Sequence, residues 1–284
     1  MNTDYFKNVR TTCWFVVLFS PVIYVGIIIL NFAYLTVPAR NLAELSSGLI
    51  YPTFLISLPL LVIVIGLFII FIGKIRFQDL GIQKGKISEA VAVTLGVWIL
   101  LQLILMLTSV VYGKGISLDD SWYDPGVRVV IGMFAAQLLG NALSEEIMFR
   151  GFLFPQLYLK IKFSKQSGKK KRLIISILVS QLCFALMHIP NLTRIKIPGI
   201  SLYLNLVTLL VLGVFFTVIF LRTNNIFVAV GLHTLLNTPT PLLWSPITAG
   251  AVVFVLYIGV IIWWPKIQEV ITGVFRIWYN DIPG

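Results

Sequence analysis

Two adjacent carboxylates, Glu145 and Glu146, stand in the apolar stretch Ser144-Glu145-Glu146-Ile147-Met148-Phe149-Arg150. Only 11 of the 284 residues are Asp or Glu, and there are only two histidines, His188 and His233. Both histidines lie in apolar segments downstream of the pair. Ionisable groups are costly in membrane-like surroundings and mark a functional site by default. On a helix, Glu146 and Arg150 share a face, with the acid on the favoured N-terminal side. Glu145 points about 100° away, because a helix has 3.6 residues per turn. Arg150 can therefore neutralise Glu146 and leave Glu145 available for chemistry.

The next candidates follow in Phe184-Ala185-Leu186-Met187-His188 and His233-Thr234-Leu235-Leu236-Asn237. Lys160 lies 15 residues after Glu145, and His188 lies 16 after Arg172. A helical hairpin joined by the basic loop 160–172 would set Glu145, Glu146 and His188 at one depth. His233 and Asn237, four apart, share a helix face. Counted from Arg222 or Asn225, His233 falls nearer the cytoplasmic side than His188, which a short, re-entrant or displaced span would reconcile.

Two chemistries fit this set. In one, Glu145, His188 and His233 ligate Zn²⁺ and activate a bound water. In the other no metal takes part: Glu145 and His188 act as general base toward water, while His233 and Asn237 donate to an oxyanion. The soluble-metalloprotease signature HExxH is absent.

These groups need helices to hold them. The chain is 58% hydrophobic and 12% charged, with mean hydropathy +0.95. Soluble globular domains carry about twice that charged share. An all-α polytopic membrane protein is expected, a single domain over 1–284 with about eight spans. The apolar stretches run roughly 13–37, 50–73, 89–112, 127–159, 173–189, 199–221, 226–238 and 246–264. A crossing takes about 20 residues, so 173–189 and 226–238 are short. Short spans often adjoin irregular backbone that lines a site. No cleavable leader is expected, since the first apolar run after Lys7 and Arg10 is long enough to span. No internal repeat or low-complexity tract is found.

The net charge of +11 suggests nucleic acid at first sight, but its distribution follows the positive-inside rule. With the N-terminus in the cytoplasm, inner segments hold Lys7, Arg10, Lys74, Arg76, Lys84, Lys86, the cluster from Lys160 to Arg172, Arg222, Lys266 and Arg276. Outer segments hold only Arg40, Lys114, Arg128, Arg194 and Lys196, and the outer loop adds Asp119, Asp120 and Asp124. Both termini are expected inside, and no nucleic-acid partner is expected. The basic loop reads as an anchor on anionic lipid. Cys13 and Cys183 lie in apolar spans and read as small buried hydrophobes.

Taken in order, Glu145-Glu146-x3-Arg150, Phe184-x3-His188 and His233-x3-Asn237 resemble the marks of the CPBP family, the CAAX protease and bacteriocin-processing (Abi) proteins. Gly151-Phe152-Leu153-Phe154 and Asp79-Leu80-Gly81-Ile82 add to the likeness, which covers roughly 75–240 as a catalytic core. The spans in 13–73 and the span 246–264 would be peripheral. The resemblance implies an intramembrane endopeptidase similar to the type II CAAX prenyl endopeptidases. It also implies a polar cavity among the core helices and a prenylated or other hydrophobic peptide as substrate, met within the bilayer. By that likeness Glu145 and His188 activate water, His233 and Asn237 hold the oxyanion, and Glu146, Arg150 and Phe184 support them. The family is often labelled metalloprotease, and zinc stays open beside the metal-free route. The membrane would be the plasma membrane of a prokaryote or the endoplasmic reticulum of a eukaryote. Two other classes remain: a non-catalytic binding or immunity protein, and a proton-coupled transporter using the Glu/His cluster. The sequence specifies no oligomeric state.

Overall fold

The computed structural model describes residues 4–161 and 168–280. Positions 162–167 of the basic loop lie outside the described residues. Among them the protein is all-helical, with one isolated bridge between Leu118 and Leu243. The long elements are α1 (Trp14–Tyr34), α2 (Thr36–Leu45), α3 (Pro52–Ile72), α4 (Ile87–Val111) and α5 (Val127–Lys160). They continue through α6 (Gly168–Leu186), α7 (Ile189–Arg194), α8 (Gly199–Thr223), α9 (Ile226–Asn237) and α10 (Ala249–Asn280).

Seven described helical segments are long and apolar enough to cross a membrane. Within each, only 28% to 39% of the most apolar window is buried in the protein. The remaining surface is apolar as well, with Leu18, Val62, Leu107 and Val111 all exposed, so it must be covered by lipid rather than water. This is an integral, multi-pass membrane protein.

The eighth apolar stretch differs from an ordinary span. α9 has 12 residues and rises about 18 Å at 1.5 Å per residue, short of a bilayer core. Its start is pinned at one face, where Asn225 Nδ2 donates to the Lys86 carbonyl (2.8 Å) and to Glu89 (3.2 Å). After Asn237 the chain continues without helix to the far face, where Asp119 N donates to Leu242 O and Trp244 N to Ser117 O. An irregular crossing needs its backbone groups satisfied by protein. Gln102 of α4 does this twice, accepting from Leu242 N (2.8 Å) and donating to Thr240 O (3.3 Å). Trp98 Nε1 also donates to Thr240, and Trp122 Nε1 to Pro241 O. Pro239, Pro241 and Pro246 carry no N–H and so remove donors that would need partners. Half helix and half extended chain thus complete the crossing.

The helices define two faces. One holds the N-terminal residues, where Gln156 Nε2 donates to Arg10 O (2.7 Å), Tyr5 Oη donates to Asp79 O (2.8 Å), and Phe6 packs on Phe154 and Tyr158. Arg222 reaches Ile261 O of α10 on the same side. The other face holds the α1–α3 turn, the loop 113–126, α7 and the segment 238–248. There the Arg194 guanidinium lies 4.6 Å over the Phe32 ring.

Candidate active site

α5 carries the carboxylates, and it is not uniformly wound. Gln137–Asn141 and Ile147–Leu153 are π-helical, flanking one α-helical turn at Ala142–Glu146. The wider turns change which side chains face inward, and such insertions often accompany functional sites. Ser144 anchors the turn: its Oγ donates to Asn141 O (2.9 Å) and meets Tyr24 Oη of α1 at 3.2 Å.

Glu146 and Arg150 are wholly buried and form the expected i,i+4 ion pair, Nη1 to Oε1 at 3.0 Å. Arg150 Nη2 also donates to Gly213 O (3.2 Å), and its guanidinium lies 4.5 Å over the Phe184 ring. Phe184 therefore covers a buried cation and also meets His188 edge-on at 4.8 Å. The same Glu146 Oε1 accepts from His233 Nδ1 at 2.7 Å. Glu146 Oε1 is thus held by a guanidinium and an imidazole N–H, while Oε2 is buried without a hydrogen-bond partner among the described residues.

Glu145 is different. It nearly disappears from the surface, at 8% exposure, yet no direct hydrogen bond ties it down among the described residues. Its Oε1 lies 3.9 Å from His188 Nε2, and its Oε2 lies 3.7 Å from His233 Nε2. The depth matching of the hairpin is thus realised in space. His233 and His188 both reach Glu145, although α6 and α9 start on the same face.

The partners fix the tautomers. His188 Nδ1 sits 2.8 Å from the Phe184 carbonyl, which can only accept, so that nitrogen carries the proton. His233 Nδ1 likewise donates to Glu146. Both imidazoles therefore turn their Nε2 atoms toward Glu145. The ring of His233 is further fixed by stacking on Phe216, with centroids 4.6 Å apart.

Asn237 lies one turn beyond His233 and lines the same cavity as Glu145. Its Nδ2 donates to Gln137 Oε1 (3.1 Å), and Asn141 Nδ2 lies 3.3 Å from that same oxygen. Gln137 was not among the expected site residues. The signal was available, since Gln137, Asn141 and Glu145 recur every four residues along an apolar helix. Tyr24 had no such signal, because nothing in a sequence ties α1 to α5.

Two cavities of about 290 Å³ each meet at the acid, both bounded by Asn141, Glu145, His188 and Asn191. The first is walled by α1 and α3 through Tyr24, Ile28, Ile56 and Leu60. The second is walled by α8 and α9 through Leu209, Leu212, Leu236 and Asn237. Both linings mix apolar side chains with polar groups, and the polar groups they share gather at Glu145. A larger cleft of about 1040 Å³, around Tyr5, Arg76 and Lys84 on the N-terminal face, shares no residue with either.

Residues 127–239 match the type II CAAX prenyl endopeptidase Rce1-like family. That stretch holds Glu145-Glu146-x3-Arg150, Phe184-x3-His188 and His233-x3-Asn237, in agreement with the resemblance they carry, while Asp79-Leu80-Gly81-Ile82 lies before it. Comparisons with curated proteins and with solved structures found no match. The matched stretch does not wall the cavity alone, since Tyr24 and Leu60 lie outside it.

Two imidazoles and a carboxylate are zinc ligands by type. Their placement does not follow: among the described residues no three His, Cys, Asp or Glu groups are disposed to share an ion.

Proposed function

We propose that this protein is an intramembrane endopeptidase that hydrolyses a peptide bond of a membrane-associated substrate, with a prenylated CAAX-type or other hydrophobic peptide as the substrate class. The observation that carries the reading is Glu145 set between the Nε2 atoms of His188 and His233 at 3.9 and 3.7 Å. Both gaps exceed a direct hydrogen bond and suit a single water between carboxylate and imidazole. Glu145, paired with no Lys or Arg among the described residues, takes a proton from the water as the water oxygen attacks the carbonyl carbon. His188 shares that proton through Nε2 and returns it to the departing amine. Asn237, with one amide N–H on Gln137 and the other unassigned, donates to the developing oxyanion beside His233. Glu146 and Arg150 keep His233 in its tautomer.

The test is cleavage of a fluorogenic farnesylated CAAX peptide and of an unmodified hydrophobic peptide by purified wild type and Glu145→Gln, with and without chelator. Loss of about 10²–10⁴-fold in the variant, the usual share of a general base, with wild type unaffected by chelator, is expected. Activity lost to chelator and restored by Zn²⁺ would move the reading to metal-assisted hydrolysis. A variant that cleaves as well as wild type would remove Glu145 from the reaction and favour a binding role.

A further inference from the structure

We infer that the groove between α4, α5 and the non-helical end of the α9 crossing is a lipid site. It holds one acyl chain of a phosphate-headed lipid whose headgroup meets Arg128, and the chain steadies Asn237. The binding stands on geometry alone, while its effect on turnover rests on the peptidase reading.

The groove encloses about 250 Å³ and shares no residue with the two cavities at Glu145. A substrate held at the acid therefore does not fill it. α4 packs on α9 and α10, and a gap remains on its flank toward α5. Leu95 and Trp98 line the α4 side, Ile131 and Phe134 the α5 side, and Leu235 and Thr240 the floor. Leu95 and Ile131 are about half exposed, on two segments that span the bilayer, so the groove opens sideways into lipid. Gly132 points to the other flank of α5, where it packs on the Gly48 carbonyl.

Such a lining suits a hydrocarbon chain rather than water, which needs two or more polar partners. The Trp98 indole N–H is spent on Thr240 Oγ1 at 3.0 Å, and that of Trp122 on Pro241 O at 2.6 Å. Left unfilled, the walls would forgo dispersion contacts on their open side. Apolar contact alone does not select a lipid, because bilayer chains are as apolar as the groove. Two indoles held rigid by their hydrogen bonds give it a fixed shape, and a cation at one end gives it a headgroup preference.

That cation is Arg128. It stands three residues before Ile131 on the same face of α5, about 4.5 Å nearer the helix start. It is exposed, and no carboxylate lies within ion-pair distance of it among the described residues. Asp119, in the loop before it, is turned onto the Ser121 N–H and hydroxyl. Gly126 precedes the helix and offers no side-chain cap. A phosphate placed there meets the guanidinium and the uncapped helix N–H groups together.

The chain would touch both sides of the break after Asn237. Leu235 lies before that residue and Thr240 after it, and both line the groove. Trp98 and Trp122, which hold Thr240 and Pro241, are its walls. With the groove filled, the indoles cannot swing away from the carbonyls they serve. With it emptied they gain room to turn, and the segment 238–241 gains it with them. Asn237 is tied to Gln137 by one amide hydrogen bond, so it follows its neighbours. Occupancy therefore acts on kcat through the oxyanion donor and leaves KM alone, because the groove does not wall the substrate cavity.

The experiment uses the full chain and has two arms. In the first, phosphatidylglycerol with a diazirine midway along one acyl chain is placed in nanodiscs with the protein and photolysed. Adducts mapped by mass spectrometry should favour the groove about tenfold over the lipid-facing residues Leu18 and Val62. Ile131→Trp and Leu95→Trp, from opposite walls, should each remove the excess. Arg128→Gln should cut it about fivefold, the usual weight of one basic residue at an anionic surface. Groove labelling at the Leu18 level, or an excess that both Trp variants leave in place, overturns the site. In the second arm, delipidated protein in detergent is titrated with the unlabelled lipid. Hydrogen exchange across 238–245 should slow about tenfold, and kcat for the hydrophobic peptide should rise with the same midpoint at constant KM. Exchange and kcat indifferent to lipid overturn the coupling. Groove labelling and lipid-dependent exchange without cleavage at any lipid level would sink the peptidase reading and leave the lipid site standing.

Discussion

Glu146 and His233 are joined at 2.7 Å through Oε1 and Nδ1, and the same oxygen holds Arg150 at 3.0 Å. Of the two neighbouring acids, Glu146 is thus spent on keeping an imidazole and a buried guanidinium in register. Glu145 is left facing two ring nitrogens whose protons lie on their other sides.

Glu146→Gln should therefore fail through stability before chemistry. Removing one partner of a buried ion pair costs about 3–5 kcal/mol, because the Arg150 guanidinium stays behind uncompensated. A thermal melt in detergent should show the loss. The double change Glu146→Gln with Arg150→Met should recover much of the stability while cleavage stays low, since the His233 tautomer is no longer enforced.

Replacing His188 should behave in the opposite way. The side chain is 24% exposed, and its ring is held by the Phe184 carbonyl and the edge-on Phe184 ring. His188→Gln is expected to melt near wild type and to lose about 10²–10⁴-fold in kcat, the range for a proton-transfer group. Unchanged turnover would assign the proton to Glu145 alone.

Asn237→Ala should lower kcat by about 10²–10³-fold with little effect on KM, as for loss of one oxyanion donor. Gln137→Leu should give a milder form of the same defect, because it frees the Asn237 amide to turn. A KM effect without a kcat effect in Gln137→Leu would mark it as a wall of the substrate cavity instead.

Much of this arrangement is legible in the amino-acid order, and the reasons are physical. Every apolar stretch expected to span corresponds to a helix, because apolar runs near 20 residues have few other fates in lipid. The similar spacing of Glu145 and His188 from their shared loop, 15 and 16 residues, set them at about the same depth. The expected eight spans become seven long helices and one short one. The short crossing is completed by extended chain that no hydropathy pattern describes. The π-helical turns around Ala142–Glu146 also leave no trace in the hydropathy pattern. Gln102 looks like an isolated polar residue in α4 until the unwound segment it serves is seen.

Gln102→Leu accordingly tests the half-unwound crossing. It orphans the Leu242 N–H, at about 1–3 kcal/mol for a buried group left unmet, and leaves the Thr240 carbonyl to Trp98 Nε1 alone. Hydrogen exchange measured by mass spectrometry should rise across 238–245 before it rises in α9. Uniform exchange along both would show that the two parts open as one unit.

The seam at Thr238 has a bearing on Asn237 itself. Up to that residue the backbone is held by its own helical ladder; past it, by indoles and an amide lent from α4 and the outer loop. Asn237 thus sits at the boundary between a rod and a tether. A long, uninterrupted helix would resist any adjustment there along its whole length. A helix that stops at the donor lets the donor settle on its acceptor by moving only one end.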